Sequence, residues 1–330
     1  MSTPLRATIL GDGGWGTALA LVLHRNGARV TVWGHDPAYI AGVVAARRNE
    51  SFLPGVDLPP EIEWTSDTGR AAGGADLIVV AIPSKFYRDT LGRFRGIITA
   101  GQTVVSVSKG LREDRRLSEI AEEVLGHPAV AALSGPSHAE EVAHGIPTAV
   151  VAACREPERA AAVQQAFNGS GFRVYTSDDV IGVEVGGAIK NVIAIAAGAC
   201  DGIGFGDNTK AALMTRGLVE IARLGAALGA KPATFYGLSG MGDLIVTCAS
   251  RHSRNRSVGE RIGRGETLAQ IQASMQMVAE GVPNAITAQA LARHRGVDTP
   301  IIDEVNRVLY EGKSPRQAVI DLLSRDPKPE

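Results

Sequence analysis

The sequence predicts an α/β protein: a doubly wound, mostly parallel sheet over residues 1–178, followed by a mainly α-helical second domain over 179–330. Three observations predict it. A glycine fingerprint, Gly11-Asp12-Gly13-Gly14-Trp15-Gly16, lies between an apolar strand and an Ala/Leu-rich helix. Strand and helix signals then alternate as far as Ser177, as parallel strands joined by crossover helices require. From Asp179 onward the alternation stops. Long Ala/Leu/Ile/Val segments with helical spacing take over, among them 209–228 and 300–309.

The first strand, 7–10, is a short apolar run that feeds the glycine loop. Each glycine has its own task there. Gly11 allows a tight turn, Gly13 lets a pyrophosphate approach the backbone, and Gly16 permits close helix–strand packing. The phosphates would sit on the unpaired N–H groups at the helix start. Asn26-Gly27 closes the helix and 29–33 supplies a second strand, so half a βαβ unit is built within 33 residues. Three glycines alone also fit a plain strand–turn–helix; the second strand at this spacing favours a dinucleotide. Further strands are expected at 77–82, 103–106, 130–133 and 148–152, with a short one at 172–175. Several end in turn-forming segments: Ile82-Pro83-Ser84, Ser108-Lys109-Gly110 and Leu133-Ser134-Gly135-Pro136-Ser137. Ligands of such sheets bind outside the carboxyl ends of the strands, so these loops and the glycine loop should converge. The polar end, 326–330, is expected to fray.

A chain of 330 residues, 45% hydrophobic and 21% charged, has the composition of a soluble globular protein with room for two domains. Its net charge of −1 gives no global attraction for nucleic acid or an anionic membrane. An anionic substrate must therefore be held by local cations. Cys154, Cys200 and Cys248 are odd in number and widely spaced, with no C-x-x-C pair. Reduced, buried thiols in a cytoplasmic setting are expected. Seven scattered histidines and no H-E-x-x-H or Cys/His cluster make a metal site unexpected. The N-terminus enters its first strand at once, so no signal peptide is expected. The apolar run 192–200 is too short for a bilayer and reads as a buried helix.

Two segments carry chemistry. In Gly182-Val-Glu-Val-Gly-Gly-Ala-Ile-Lys-Asn, a helical Gly186-Gly187 pair costs roughly 2 kcal/mol against alanine. That cost implies that another backbone or a ligand passes close by. Lys190 follows in otherwise apolar surroundings, where a lysine can serve as general acid or base; a lysine at a helix edge with its head in solvent is the plainer alternative. In Gly240-Met-Gly-Asp-Leu-Ile-Val-Thr-Cys-Ala-Ser-Arg-His-Ser-Arg-Asn, Asp243 precedes an apolar run and Thr247. Ser253-Arg254-Asn255 opens a new helix with Arg251 and Arg256 nearby. Arginine gives bidentate phosphate contacts and a helix start adds N–H donors, although a basic surface cluster fits the same residues. Lys109, at a strand end in the first domain, could supply a second cation.

Taken in order, these segments resemble one family. The glycine loop, Ser108-Lys109-Gly110, Ser134-Gly135-Pro136, Gly186-Gly187-Ala188-Ile189-Lys190-Asn191, Gly242-Asp243-Leu244 and Ser253-Arg254-Asn255-Arg256 resemble the NAD(P)-dependent sn-glycerol-3-phosphate dehydrogenases of the soluble bacterial type. Trp33-Gly34-His35-Asp36 and Val278-Ala279-Glu280-Gly281 look like that family too, so the resemblance covers nearly the whole chain. It implies a Rossmann-type first domain and Lys190 as the proton donor and acceptor. It implies that Lys109, Gly135, Ser137, Lys190, Asn191, Asp243, Ser253, Arg254 and Asn255 line the substrate. Gly11, Gly13, Gly14, Trp15, Gly16, His35, Lys109, Ala139, Arg254, Val278 and Glu280 would line the dinucleotide. Gly14-Trp15 and Ser137-His138 depart slightly from the family's usual residues, which bears on fine cofactor contacts only. The implied reaction is reduction of dihydroxyacetone phosphate to sn-glycerol 3-phosphate, which feeds glycerophospholipid synthesis. A homodimer would be ordinary for the family.

Other readings keep a place. A 3-hydroxyacid or 6-phosphogluconate type of dehydrogenase also sets a lysine on a glycine-rich helix, but with an asparagine four residues on, where this chain has Ala194. A dinucleotide-binding sensor without chemistry would keep the glycine loop alone. For the cofactor, the family uses NAD and NADP. The second strand ends Trp33-Gly34-His35 with no acid directly at its end, so a 2′-phosphate is not obviously repelled. His35, Arg47 or Arg48 would meet it, which tips the expectation slightly toward NADPH.

Overall fold

Eight strands form the central sheet: β1 (Arg6–Leu10), β2 (Arg29–Trp33), β3 (Glu63–Thr65), β4 (Leu77–Val80), β5 (Thr103–Ser106), β6 (Ala131–Ser134), β7 (Thr148–Ala153) and β8 (Phe172–Ser177). Their spatial order is β8-β7-β6-β5-β4-β1-β2-β3. Every neighbouring pair is parallel except β6 and β7, which run antiparallel. The computed structural model describes residues 3–169, 171–275 and 277–327. The last three residues of the polar tail, expected to fray, lie outside them.

The strands are apolar on both faces because both faces are covered. Alternate residues enter opposite layers: Ile9, Val79 and Val105 join one apolar cluster, while Leu10, Ile78, Val80 and Val104 join the other. β1 sits between β2 and β4, in register at Leu10 with both Trp33 and Val80. The chain runs outward from β1 through β2 to β3 and then crosses to β4 on the other side of β1, which makes the ends of these strands a topological switch point. The sequence pattern missed β3, whose three residues Glu-Trp-Thr are too short to show a period. It also missed the small pair Arg48–Asn49 with Leu53–Asp57.

Internal packing divides the chain into two units, Met1–Lys109 with Arg115–Glu184, and Gly110–Asp114 with Val185–Glu330. The second unit is helical, with Asp207–Ala227, Asp243–Ala249, Arg254–Gly263, Gly281–His294 and Pro300–Tyr310 as its main pieces. The apolar run at 192–200 belongs to a longer helix, Val180–Ile203. By length and hydropathy alone that helix would cross a membrane, but 89% of its most apolar stretch is buried inside the protein.

Glycines bring two of these helices together. An added Cβ at Gly198 would lie 2.9 Å from Glu260 N, and one at Gly202 would lie 2.9 Å from Gly263 Cα. From the other side, a Cβ at Gly259 would lie 2.8 Å from Ala199 N. Spaced four apart on both helices, these glycines form small-residue stripes that let the backbones touch.

Candidate active site

In the first unit, the three fingerprint glycines differ in the space around them. Gly11 adopts φ of +119°, and a Cβ there would lie 2.9 Å from the carbonyl carbon of Ala81. A Cβ on Gly16 would crowd Ile9 and Ala81 at 3.1 and 3.3 Å. Gly13 has nothing within 4 Å of that position, so its outer face is the side a ligand can approach. Gly13 is also the N-cap of the helix Gly14–Arg25, which has no side-chain cap and no acid in its first turn. Its first N–H groups therefore remain for an anion. The Nε1 of Trp15 is buried without a hydrogen-bond partner among the described residues. A turn, an approachable face and an uncapped helix start fit the pyrophosphate of a dinucleotide.

The loop is held from behind. Thr17 Oγ1 donates to the carbonyl of Gly13 at 2.9 Å. Asn49, wholly buried, donates from Nδ2 to the Asp12 carbonyl at 2.8 Å and to Thr17 Oγ1 at 2.7 Å. The hydroxyl of Tyr39 donates to Asn49 Oδ1 at 2.5 Å. Sequence reasoning passed over Asn49 and Tyr39, because isolated polar residues beyond the fingerprint carry no motif.

Other strand ends of this unit join the same region. Ser108 Oγ donates to the Ile82 carbonyl at 2.6 Å. Lys109 Nζ donates to the Gly135 carbonyl at 2.9 Å and reaches Ser137 Oγ at 3.5 Å. Gly135 has φ of +147°, and a Cβ on it would lie 2.9 Å from Val150 Cα, so glycine is required there. Ala139 Cβ lies 3.8 Å from where a Cβ on Gly14 would stand. Arg47 and Arg48, expected to meet a 2′-phosphate, both have partners within this unit. Arg47 Nη1 donates to the Ile62 carbonyl at 3.4 Å, and Arg48 pairs with Asp57 at 2.7 Å.

In the second unit, Lys190 is buried, 4% exposed, and so is Asp243, at 1%. Lys190 Nζ donates to Asp243 Oδ1 at 2.5 Å and to Thr247 Oγ1 at 2.6 Å. Asp243 and Thr247 stand one helical turn apart on Asp243–Ala249, so both meet the same ammonium. The solvent-facing alternative for Lys190 is thus excluded. One of the two adjacent glycines has its physical cause as well: a Cβ on Gly186 would lie 2.7 Å from the Ser239 carbonyl oxygen. Burial pushes the neighbouring Cys248 thiol up to about 12, keeping it protonated.

Asn191 and Asn255 are knit together: Asn255 Nδ2 donates to Asn191 Oδ1 at 2.9 Å, and Asn255 Oδ1 accepts from Gly281 N at 2.8 Å. Ser253 caps the helix Arg254–Gly263 by accepting from Arg256 N. The two arginines of this segment part company. Arg256 is neutralised by Asp201 at 2.7 Å and Glu260 at 3.3 Å. Arg254 is exposed and donates to the Val278 carbonyl at 2.9 Å, beside Glu280 at the start of Gly281–His294.

A Rossmann-type sheet with this loop, and a helical unit with a buried, carboxylate-paired lysine, define a two-part nicotinamide-nucleotide oxidoreductase. Residues 6–160 match the family model of the NAD-dependent glycerol-3-phosphate dehydrogenase N-terminus, and 179–320 match that of its C-terminus. The chain belongs to the NAD-dependent glycerol-3-phosphate dehydrogenase family. It is 50% identical to the NAD(P)+ glycerol-3-phosphate dehydrogenase of Chlorobium phaeobacteroides over 99% of both chains. It is also 50% identical to that of Geobacter metallireducens, over 98% of both. A solved glycerol-3-phosphate dehydrogenase from Coxiella burnetii superposes with a TM-score of 0.94 at 37% identity, covering 98% of this chain and 99% of that one. Family membership favours this chemistry over a hydroxyacid dehydrogenase or a non-catalytic sensor.

Proposed function

We propose that the protein reduces dihydroxyacetone phosphate to sn-glycerol 3-phosphate, reversibly, and so supplies the backbone of glycerophospholipids in the cytoplasm. The buried Lys190–Asp243–Thr247 cluster is the observation that carries this reading within the family. NADH or NADPH supplies the hydride when bound. The ammonium of Lys190 polarises the carbonyl oxygen and gives it a proton as negative charge develops. In the reverse direction neutral Lys190 removes the hydroxyl proton. Asp243 and Thr247 fix Nζ, and Asp243 supplies the counter-charge a buried ammonium needs. No metal is required, because the ammonium is itself the electrophile.

Arg254 and Asn255 hold the phosphate, with Ser253, Asn191, Lys109, Gly135 and Ser137 completing the substrate's surroundings. Binding energy from the phosphate, remote from the reacting carbon, orients the ketone. Gly11, Gly13, Gly14, Trp15, Gly16, His35, Lys109, Ala139, Arg254, Val278 and Glu280 hold the dinucleotide. Residues 1–178 thus supply most of the cofactor's surroundings and 179–330 most of the substrate's. A homodimer would cover apolar surface of the helical unit at Tyr236, Ile286 and Leu323, which are 69%, 53% and 80% exposed.

Loss of nicotinamide absorbance with dihydroxyacetone phosphate, run beside unphosphorylated dihydroxyacetone, tests the reaction. Fast oxidation only with the phosphorylated ketone is expected. Lys190→Met should lose about 10²- to 10⁴-fold in turnover while binding nucleotide normally; near-normal turnover would end the assignment.

A further inference from the structure

We propose that Asp12, between the first two glycines of the loop, is the acid that reads the adenosine ribose and disfavours a 2′-phosphate, so that NADH is preferred to NADPH. This rests on the dinucleotide reading of the loop. In sheets of this kind a carboxylate at the end of the second strand accepts from the ribose 2′-hydroxyl. β2 here ends without one. Asp36, just beyond, has its carboxylate on the N–H groups of Ala38 and Tyr39, where it caps the helix Pro37–Ala46.

Asp12 makes up the deficit from the neighbouring loop. Its carboxylate occupies the place a side chain of residue 34 would take: a Cβ on Gly34 would lie 2.7 Å from Asp12 Cγ and 2.6 Å from Ile40 Cδ1. Only glycine at 34 leaves room for it. The Asp12 backbone is pinned by buried Asn49, so the carboxylate is delivered to the strand end by a fixed loop. The charged groups around it are His35 and Asp36. Arg47 and Arg48, which could have neutralised a 2′-phosphate, are held by Ile62, Asp57 and Glu50. A ribose 2′-hydroxyl donates to such a carboxylate, whereas a 2′-phosphate brings like charge against it. The expected lean toward NADPH therefore reverses, because the strand-end acid comes from the glycine loop and not from β2.

Calorimetric binding of NADH and of NADPH, without substrate, measures the preference directly. The wild-type protein should bind NADH about tenfold more tightly or better. Asp12→Asn keeps the shape beside Gly34, and Asp12→Ala removes the group; each should shrink the preference about tenfold, chiefly by tighter NADPH binding. Added salt should narrow the preference of the wild type more than that of Asp12→Asn. A preference unchanged within about twofold in Asp12→Asn, well inside the tenfold expected, or a wild type that prefers NADPH, overturns the proposal. A wild type that binds neither nucleotide overturns the dinucleotide reading itself.

Discussion

At the scale of single residues, the partner of a charge decides what it can do. Arg254 and Arg256 stand two apart at one helix start, and their chemistry alone does not rank them; only the family resemblance singles out Arg254. The structure separates them: Arg256 carries Asp201 and Glu260, while Arg254 is exposed and donates to the Val278 carbonyl. Arg254→Ala should cut kcat/KM for dihydroxyacetone phosphate about 10- to 10²-fold, the worth of a hydrogen bond to a charged group. With the nucleotide saturating, the unphosphorylated ketone, which has no charge to lose, should lose far less. Arg256→Ala should leave this discrimination intact. Steady-state kinetics with both ketones separates the outcomes, and equal losses on the two substrates would remove Arg254 from the phosphate site. Lys190 was legible because a lysine in an apolar helix is rare. Asp12 was not, since the middle position of G-x-G carries no chemical expectation and its destination depends on Gly34, 22 residues later in the chain.

At the scale of elements, glycines were read well where their constraint is local. The turn at Gly11 and the open face of Gly13 follow from a short stretch of sequence, and the cost of a helical Gly186-Gly187 pair signals a close approach without naming its distant partner, Ser239. The stripes Gly198/Gly202 and Gly259/Gly263 were invisible, because they make sense only once two helices far apart in the chain are laid together. Gly259→Ala should force those backbones apart, since its Cβ would meet Ala199 N at 2.8 Å. An overpacked contact of this kind costs about 1–3 kcal/mol. The same displacement would draw Asn255, one turn earlier on that helix, away from Asn191, so KM for the phosphorylated ketone should rise with the loss of stability. Gly42, inside the helix Pro37–Ala46, has nothing within 4 Å of an added Cβ. Gly42→Ala should therefore stabilise by about 0.5–1 kcal/mol. Thermal melts of the two variants should move in opposite directions; parallel shifts would mean that the helix crossing is not tight.

At the scale of the whole molecule, a net charge near zero conceals an uneven placement of acids. Surface carboxylates such as Glu123, beside Arg88 and Arg115, sit below their usual range but are exposed and screened. Buried ones behave oppositely. Burial raises Glu184 despite its bonds to Arg116 and Ser118. Glu220 is 3% exposed and accepts from Ile301 N at 2.8 Å and Ile302 N at 3.2 Å, where it holds the start of the helix Pro300–Tyr310. Burial pushes its carboxyl up to about 7. An unfolded glutamate titrates near 4.3. Between those two values the folded protein keeps a proton that the unfolded chain has lost, so this group's contribution to stability falls as pH rises through the window. The full change is on the order of a few kcal/mol. Glu220→Gln keeps one acceptor for the helix start and cannot titrate. Denaturant midpoints taken from pH 5 to pH 8 should show the wild type losing ground to Glu220→Gln as pH rises. A constant difference between the two across that range would mean that Glu220 is ionised throughout, with its two backbone N–H bonds outweighing its burial.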